Sequence, residues 1–474
     1  MSRASTRRRG RSATGGIIAA IALAAAVAAL LIAAAVWHRP IMARTGLSAG
    51  GQPTVSPAVV PSPSSSPQPS GSGVIGPASA APQGKAPTTA GLARAIAAVP
   101  AKGLGTTSGV VLDADTGAML WSRAPARPLV PASTLKLLTS IAALDALGPD
   151  ATFTTRVVAP APGRLVLVGG GDPYLASKPS KDYPNAPSSA VLARRTAAAL
   201  KQQGTTTVTL GYDDSLFTGP GWNPSWPDGY HDQVTTVSAL WIDHGRPAPD
   251  APASRTPSLD AAKSFAGQLR ANGITVTGQP APARATAGAT PVAELRSLPL
   301  RTIIAQTLLH SDNSAAEVLL RQVGLASGRG GSFAGGTRAV QQRLTALQAW
   351  APGSRLVDGS GLSRGNRVPA AVLGRALRAA TTRDQLSPVL EGMPAAGVTG
   401  TLGSRFYTDE SRPGRGWVHA KTGTLTKVSS LAGYTRTRDG QAVVFALMTN
   451  NQTEEWGARS WLDQVAATIA SCGC

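Results

Sequence analysis

Between Ile17 and Trp37 the chain runs for 21 residues without a charged side chain, and Arg3, Arg7, Arg8, Arg9 and Arg11 stand just before that run. At 1.5 Å per residue, a helix of such length spans about 30 Å, the thickness of a bilayer's hydrocarbon core. The apolar region of a cleaved signal is shorter, roughly 7–15 residues. We therefore expect an uncleaved transmembrane anchor at 17–37. Residues 1–16 are then a cytoplasmic basic tail, because arginines hold their flank inside. This puts a single-pass protein in the cell membrane with an extracytoplasmic body; a cleaved run would leave a secreted protein.

Residues 38–85 confine the fold further. They carry Pro53, Pro57, Pro61, Pro63, Pro67 and Pro69 among serines and glycines, with no aromatic residue from position 43 on. Such a segment buries too little area to offset its ordering entropy and reads as a linker. A core must come from the remainder, which is long enough for two domains. Of the net charge of +20, eight basic and no acidic groups fall in residues 1–85, which leaves +12 beyond them. A basic body suits an anionic envelope polymer, and no nucleic-acid motif accompanies it. Cys472 and Cys474 are too close in sequence for ordinary disulfide geometry, and the five histidines lack an HExxH spacing. Neither a metal nor another cofactor is expected.

Local patterns give a discontinuous body. Ser108–Leu112 and Ala118–Trp121 flank a turn at 113–117 and read as a hairpin. The stretch from Ser133 to Leu147 is helix-periodic and stops at Gly148. Strand-like pieces (152–158, 164–168, 206–210, 274–277) alternate with helix-like ones (188–201, 259–271). The segment around Trp222, Trp226 and Tyr230 reads as an ordered loop. Helical character returns from Thr302 through Arg321 and again at 369–379. Three strands (417–424, 429–437, 441–448) and a helix (454–470) end the chain. We read residues 86–150 plus 300–474 as one domain and 151–299 as an inserted mixed α/β domain.

Three short motifs carry chemistry. In Ser133-Thr-Leu-Lys136, residues three apart share a helix face, so an amine stands one turn from a hydroxyl. Serine is a poor nucleophile without an adjacent base. A lysine serves only when neutral, so burial or a nearby positive charge, here Lys421, must lower its pKa. Ser311-Asp312-Asn313 offers a hydroxyl to relay a proton and an amide to hold a lysine. Lys421-Thr422-Gly423-Thr424 falls on a strand expected at an open edge, where a substrate backbone can pair. Each motif alone has an ordinary structural explanation. Together, in this order, they form the SxxK, SDN and KTG set of serine acyl-transfer enzymes.

These motifs, with Pro131-Ala132 before Ser133, Val168-Gly-Gly-Gly-Asp-Pro-Tyr174, Leu309-His-Ser-Asp-Asn-Ser-Ala-Ala-Glu317, Val357-Asp-Gly-Ser-Gly-Leu-Ser-Arg364 and Met448-Thr-Asn-Asn451, resemble the penicillin-binding protein 4 type of D-Ala-D-Ala carboxypeptidase/endopeptidase, peptidase family S13. The resemblance implies an α/β (α+β) fold of the serine β-lactamase/penicillin-binding transpeptidase kind, an antiparallel sheet with flanking helices that carries the inserted domain. It implies Ser133 as nucleophile, Lys136 as its base, Ser311 as proton relay and Asn313 as the group orienting Lys136. It implies Lys421 and Thr422 on the substrate carboxylate, and the N–H groups of Ser133 and Thr424 as oxyanion hole, with Gly423 giving access. The implied partners are stem peptides ending in D-Ala-D-Ala, β-lactams as covalent inhibitors, and the membrane through the N-terminal helix. A serine β-lactamase and a non-catalytic wall-binding protein are the rival readings. His310, His419, Asp172, Asp358 and Arg364 receive no chemical role.

Overall fold

The computed structural model describes residues 87–179, 187–246, 248, 251–286 and 288–474. Helix α1 (Thr89–Ala97) starts at Thr88, whose hydroxyl accepts from the Gly91 N–H. Strands β1 (Thr106–Asp113) and β2 (Met119–Arg123) form the expected hairpin, and Asp113 closes its turn by accepting from the Asp115 and Thr116 N–H groups. A two-residue strand β3 (Pro128–Leu129) leads into a 3-10 turn, Ala132–Thr134, and then helix α2 (Leu135–Leu147). Gly148, at φ +82°, ends that helix.

A second sheet follows, from β4 (Thr154–Ala161), β5 (Arg164–Val168), β6 (Thr207–Asp213), β7 (Thr275–Pro282) and β8 (Pro291–Arg296). Helices α3 (Ser189–Gln202) and α4 (Pro257–Ala271) belong to the same stretch. Its order is β7-β6-β5-β4-β8, parallel from β5 to β7 and antiparallel elsewhere. Val157, Leu165, Leu192, Val208, Phe265 and Leu269 fill a core of its own.

Helices α5 (Leu300–Leu309), α6 (Asn313–Ala326) and α7 (Phe333–Ala346) come next, then β9 (Val368–Pro369), which pairs with β3, and α8 (Ala370–Thr382). Strands β10 (His419–Leu425), β11 (Val428–Arg436) and β12 (Ala442–Asn450) precede the last helix, α9 (Glu455–Ser471). They join the hairpin in an antiparallel sheet ordered β10-β11-β12-β1-β2, so β10 lies at the edge as expected. Period-2 alternation sends Val444, Ala446 and Met448 to a core shared with α2, α6 and α8. Val443, Phe445 and Leu447 face a second core with α1 and α9, around Trp461 and Val465.

Several expectations are corrected. The helix expected to run from Thr302 through Arg321 is two helices, because Ser311 takes φ +57° and turns the chain between them. Helix α7 and strand β8 were not anticipated, and α7 carries two glycines in a weakly apolar sequence. Cys472 and Cys474 lie together at the end of the last helix, their Cα atoms 5.2 Å apart. The anchor expected at 17–37 lies outside the described residues, as do the tail and the linker up to residue 86. Among the described residues no helix is long and apolar enough to cross a membrane. The transmembrane helix, the membrane as a partner and the single-pass location thus find no support among the described residues and are not carried further.

Candidate active site

Pro131 opens the turn that carries Ser133, and Ala132 adopts φ +47°, a conformation costly for any residue but glycine. Neighbours hold it there. Thr134 Oγ1 and Ser430 Oγ both donate to the Pro131 carbonyl, at 2.7 and 2.6 Å. The Asn450 side chain pairs with both backbone groups of Val130, at 2.9 and 3.1 Å. Gly361 lies so close that a Cβ there would meet the Ala132 carbonyl at 1.9 Å. The turn is thus fixed by β11, by the end of β12 and by the loop after α7.

Lys136 sits on the first turn of α2, fully buried, while Ser133 stays partly exposed. Its Nζ donates to Ser133 Oγ at 2.9 Å, to Asn313 Oδ1 at 2.6 Å and to the Ser360 carbonyl at 2.9 Å. All three protons of the ammonium have acceptors. Burial lowers Lys136 to a pKa of about 8, against the charges of Glu317, Asp358 and Asp312, which raise it. Burial therefore does what the sequence reading assigned in part to Lys421.

Lys421 is equally buried and donates to the Thr422 carbonyl at 2.9 Å. Burial first, then the charges of Lys136 and Arg405, push it well below the ordinary lysine value. Thr422 Oγ1 donates to Thr401 Oγ1 at 2.9 Å, and Thr424 is exposed on the same strand. At Gly423 a Cβ would come within 2.7 Å of the Pro131 carbonyl and 3.0 Å of the Ser133 nitrogen. The close approach this glycine permits is that of β10 to the serine turn. Ser133, Lys136, Asn313 and the Lys421–Thr424 strand are thus brought together. Asn313 begins α6, directly after Asp312, which caps the helix by accepting from the Ala315 N–H at 3.0 Å. Ser311 occupies the left-handed turn before them and makes no side-chain hydrogen bond to Ser133 or Lys136.

The residues set aside behave structurally. His310 is exposed and His419 stacks on Tyr434, while the side-chain partner of Ser133 Oγ is Lys136. Asp172 caps its own turn through the Tyr174 N–H at 2.9 Å, and Arg364 donates to the Thr426 carbonyl. Asp358 is fully buried and accepts from the Gly361 and Ser363 N–H groups, from Asn366 and from the indole of Trp226. Sequence reasoning gave no chemical part to Glu317, Ser360 or His244. Glu317 accepts from the Gly359 and Ser360 N–H groups, and His244 Nδ1 lies 3.3 Å from Asp312 Oδ2. Lys136 meets Ser360 through a carbonyl, which every residue type has, so no side-chain signal could have revealed it.

The fold and the site have counterparts. The family model for D-Ala-D-Ala carboxypeptidase 3 (S13) matches residues 90–252 and 246–471. The chain is 37% identical over 467 residues to carboxypeptidase DacB of Mycolicibacterium smegmatis, covering 96% of this chain and 97% of that protein. It is 39% identical over 403 residues to carboxypeptidase Rv3627c of Mycobacterium tuberculosis, covering 82% and 85%. Among solved structures, penicillin binding protein 4 (dacB) from Haemophilus influenzae superposes with a TM-score of 0.65 at 22% identity, over 80% of this chain and 98% of that one. That likeness is one of fold, the α/β architecture of the serine β-lactamase and penicillin-binding enzymes. With nearly all of the described body matched, the chain belongs to the D-Ala-D-Ala carboxypeptidase 3 (S13) family.

Proposed function

We infer that the chain is a serine-type D-Ala-D-Ala carboxypeptidase/endopeptidase acting on peptidoglycan stem peptides. The observation that carries this is the contact of a buried, three-fold bonded Lys136 Nζ with Ser133 Oγ at 2.9 Å. A lysine lowered to about 8 is partly neutral near neutrality and can accept the hydroxyl proton.

The roles are those that the resemblance implies. Ser133 Oγ attacks the carbonyl of the penultimate D-Ala while its proton passes to Lys136. The N–H groups of Ser133 and Thr424 receive the developing oxyanion. Ser311 relays a proton to the departing amine, and Asn313 keeps Lys136 in line. Lys421 and Thr422 hold the terminal carboxylate, and Gly423 keeps their strand close to Ser133. Water then cleaves the acyl-enzyme and releases the shortened peptide. A β-lactam enters the same first step and stays attached. Residues 86–150 plus 300–474 serve as the catalytic domain and 151–299 as an inserted lobe.

Mass spectrometry of products from intact muropeptides tests this reading. Loss of one D-Ala from monomers is the carboxypeptidase outcome, and splitting of cross-linked dimers adds endopeptidase action. Rapid turnover of a penicillin without peptide cleavage would replace the reading with a β-lactamase. No turnover of either, with Ser133 unlabelled, would leave a wall-binding protein.

A further inference from the structure

Beneath Lys136 lies a buried carboxyl group that the acylation steps above do not use. Glu317 stands one turn into α6 and is fully buried. Oε1 accepts from the Ser360 N–H at 2.7 Å, and Oε2 accepts from the Gly359 N–H at 2.9 Å. The same short turn faces the other way through its carbonyls. Ser360 C=O accepts from Lys136 Nζ at 2.9 Å, and Gly359 C=O accepts from Thr139 Oγ1, on α2 beside Lys136, at 2.7 Å. One peptide segment therefore links a carboxyl on α6 to the amine on α2. Asp358 pins its near end and Gly361 presses its far end against Ala132.

We propose that Glu317 is a positioning residue for acylation. It aims the Ser360 carbonyl at Lys136, and its charge sets how readily that amine gives up its proton. The proposal rests on Lys136 being the base and adds a residue to that reading.

The charges around the pair set the sign. Lys136 faces Glu317, Asp358 and Asp312, with Lys421 on the neighbouring strand; Glu317 faces Asp358, Lys136 and Arg321 of its own helix. A negative Glu317 favours the ammonium form of Lys136 and so opposes its action as a base. Burial and then Asp358 push Glu317 upward, while the Gly359 and Ser360 N–H groups favour its charged form; that charge in turn raises Lys136, so proton loss from the two groups is linked. A merely structural glutamate would hold the turn without affecting the pH at which Lys136 becomes active.

The test is the second-order rate of Ser133 acylation by a fluorescent penicillin from pH 5 to 10, per folded molecule, for the parent, Glu317→Gln, Glu317→Asp and Lys136→Ala. Gln keeps an acceptor and removes the charge. Its acid limb should move to lower pH by roughly 1 unit, the usual size of a close opposite-charge effect. Asp keeps the charge but falls short of the two N–H groups, so its rate should drop by about 10²-fold, as for a displaced catalytic group, with the limb nearer the parent position. A parent limb in folded Glu317→Gln overturns the proposal, as does a parent rate in Glu317→Asp. Parent-like labelling of Lys136→Ala would instead defeat the underlying reading, so the two failures are distinct.

Discussion

The two five-stranded sheets are built to opposite rules. Strands β11 and β12 are buried along almost their whole length, because helices cover both faces of the antiparallel sheet. At one side of the second sheet β7 buries only two of its eight residues and β6 largely alternates, whereas β4 and β5 also bury Val158 and Val166 on the face away from the sheet's own core. A sheet covered on both sides is close-packed and stiff. A one-sided sheet depends on a single core and tolerates change on its wet face. The serine turn is bonded to the stiff sheet through Ser430, and the lysine strand β10 is its edge. Among the described residues the second sheet reaches the site through the connection from β6 to α4, which sends Trp226 to Asp358 and His244 to Asp312.

If the stiff sheet exists to hold one amine beside one hydroxyl, the largest loss comes from removing that amine. Lys136→Ala should lower the acylation rate of Ser133 by 10²–10⁴-fold, the typical contribution of a positioned base, while circular dichroism stays that of the parent. Labelling at the parent rate would sever the link between the sheet and catalysis.

The second contrast is one of stability. Phe445→Ala empties a position in the middle of β12 and should cost about 3–5 kcal/mol in urea unfolding. Thr275→Ala, on the wet face of β7, should stay within about 0.5 kcal/mol of the parent. Similar costs at both places would mean that the sheets do not differ as described. Between these lies Gly423→Ala. Its new methyl would meet Ser430 Oγ, the Pro131 carbonyl and the Ser133 nitrogen, all within 3.0 Å. Strand β10 must then move away from the serine, and we expect about a 10²-fold slower acylation with a much smaller change in unfolding midpoint. A parent rate would show that the two can separate without consequence.

The sequence spoke more clearly about one sheet than about the other. The strands of the antiparallel sheet were readable to within two residues, because turn residues bound them and β12 is a continuous apolar run. Strand β8 was not, since Pro291–Arg296 is half exposed and has no apolar pattern to follow. Ser133 and Lys136 were legible from the three motifs taken together, and one helical turn fixes their contact. The supports of that contact were not. Ser360 acts through a carbonyl, and Glu317 acts on backbone N–H groups 42 and 43 positions away in sequence. Burial or the charge of Lys421 was read as what lowers Lys136; burial does so, and its depth is a property of the assembled core.

The smallest effect should come from the loop that joins the second sheet to the site. His244 belongs to that part of the chain, and Asp312 caps the helix that begins with Asn313. Burial alone would push His244 down, yet the hydrogen bond and charge of Asp312 raise it above its ordinary value. Burial would likewise raise Asp312, and His244 holds it below the usual carboxylate range. A raised histidine stabilises the fold fully below its unfolded value of about 6.5 and loses that contribution as pH climbs through the folded value. A depressed aspartate stabilises above about 3.9 and loses that contribution as pH falls through its folded value. The link is therefore whole between roughly pH 4 and 6.5. His244 is about a third exposed, at 34%, so solvent screening keeps the link below about 1 kcal/mol. His244→Asn should melt below the parent at pH 5.5 and close to it at pH 8.5. Its acylation rate should fall less than about fivefold, the equivalent of 1 kcal/mol, because Asp312 still caps the helix without its partner. A melting difference that is constant from pH 5.5 to 8.5 would mean the contact is packing rather than charge. A large loss of acylation would mean that the second sheet steers the site directly, against the division drawn between the two.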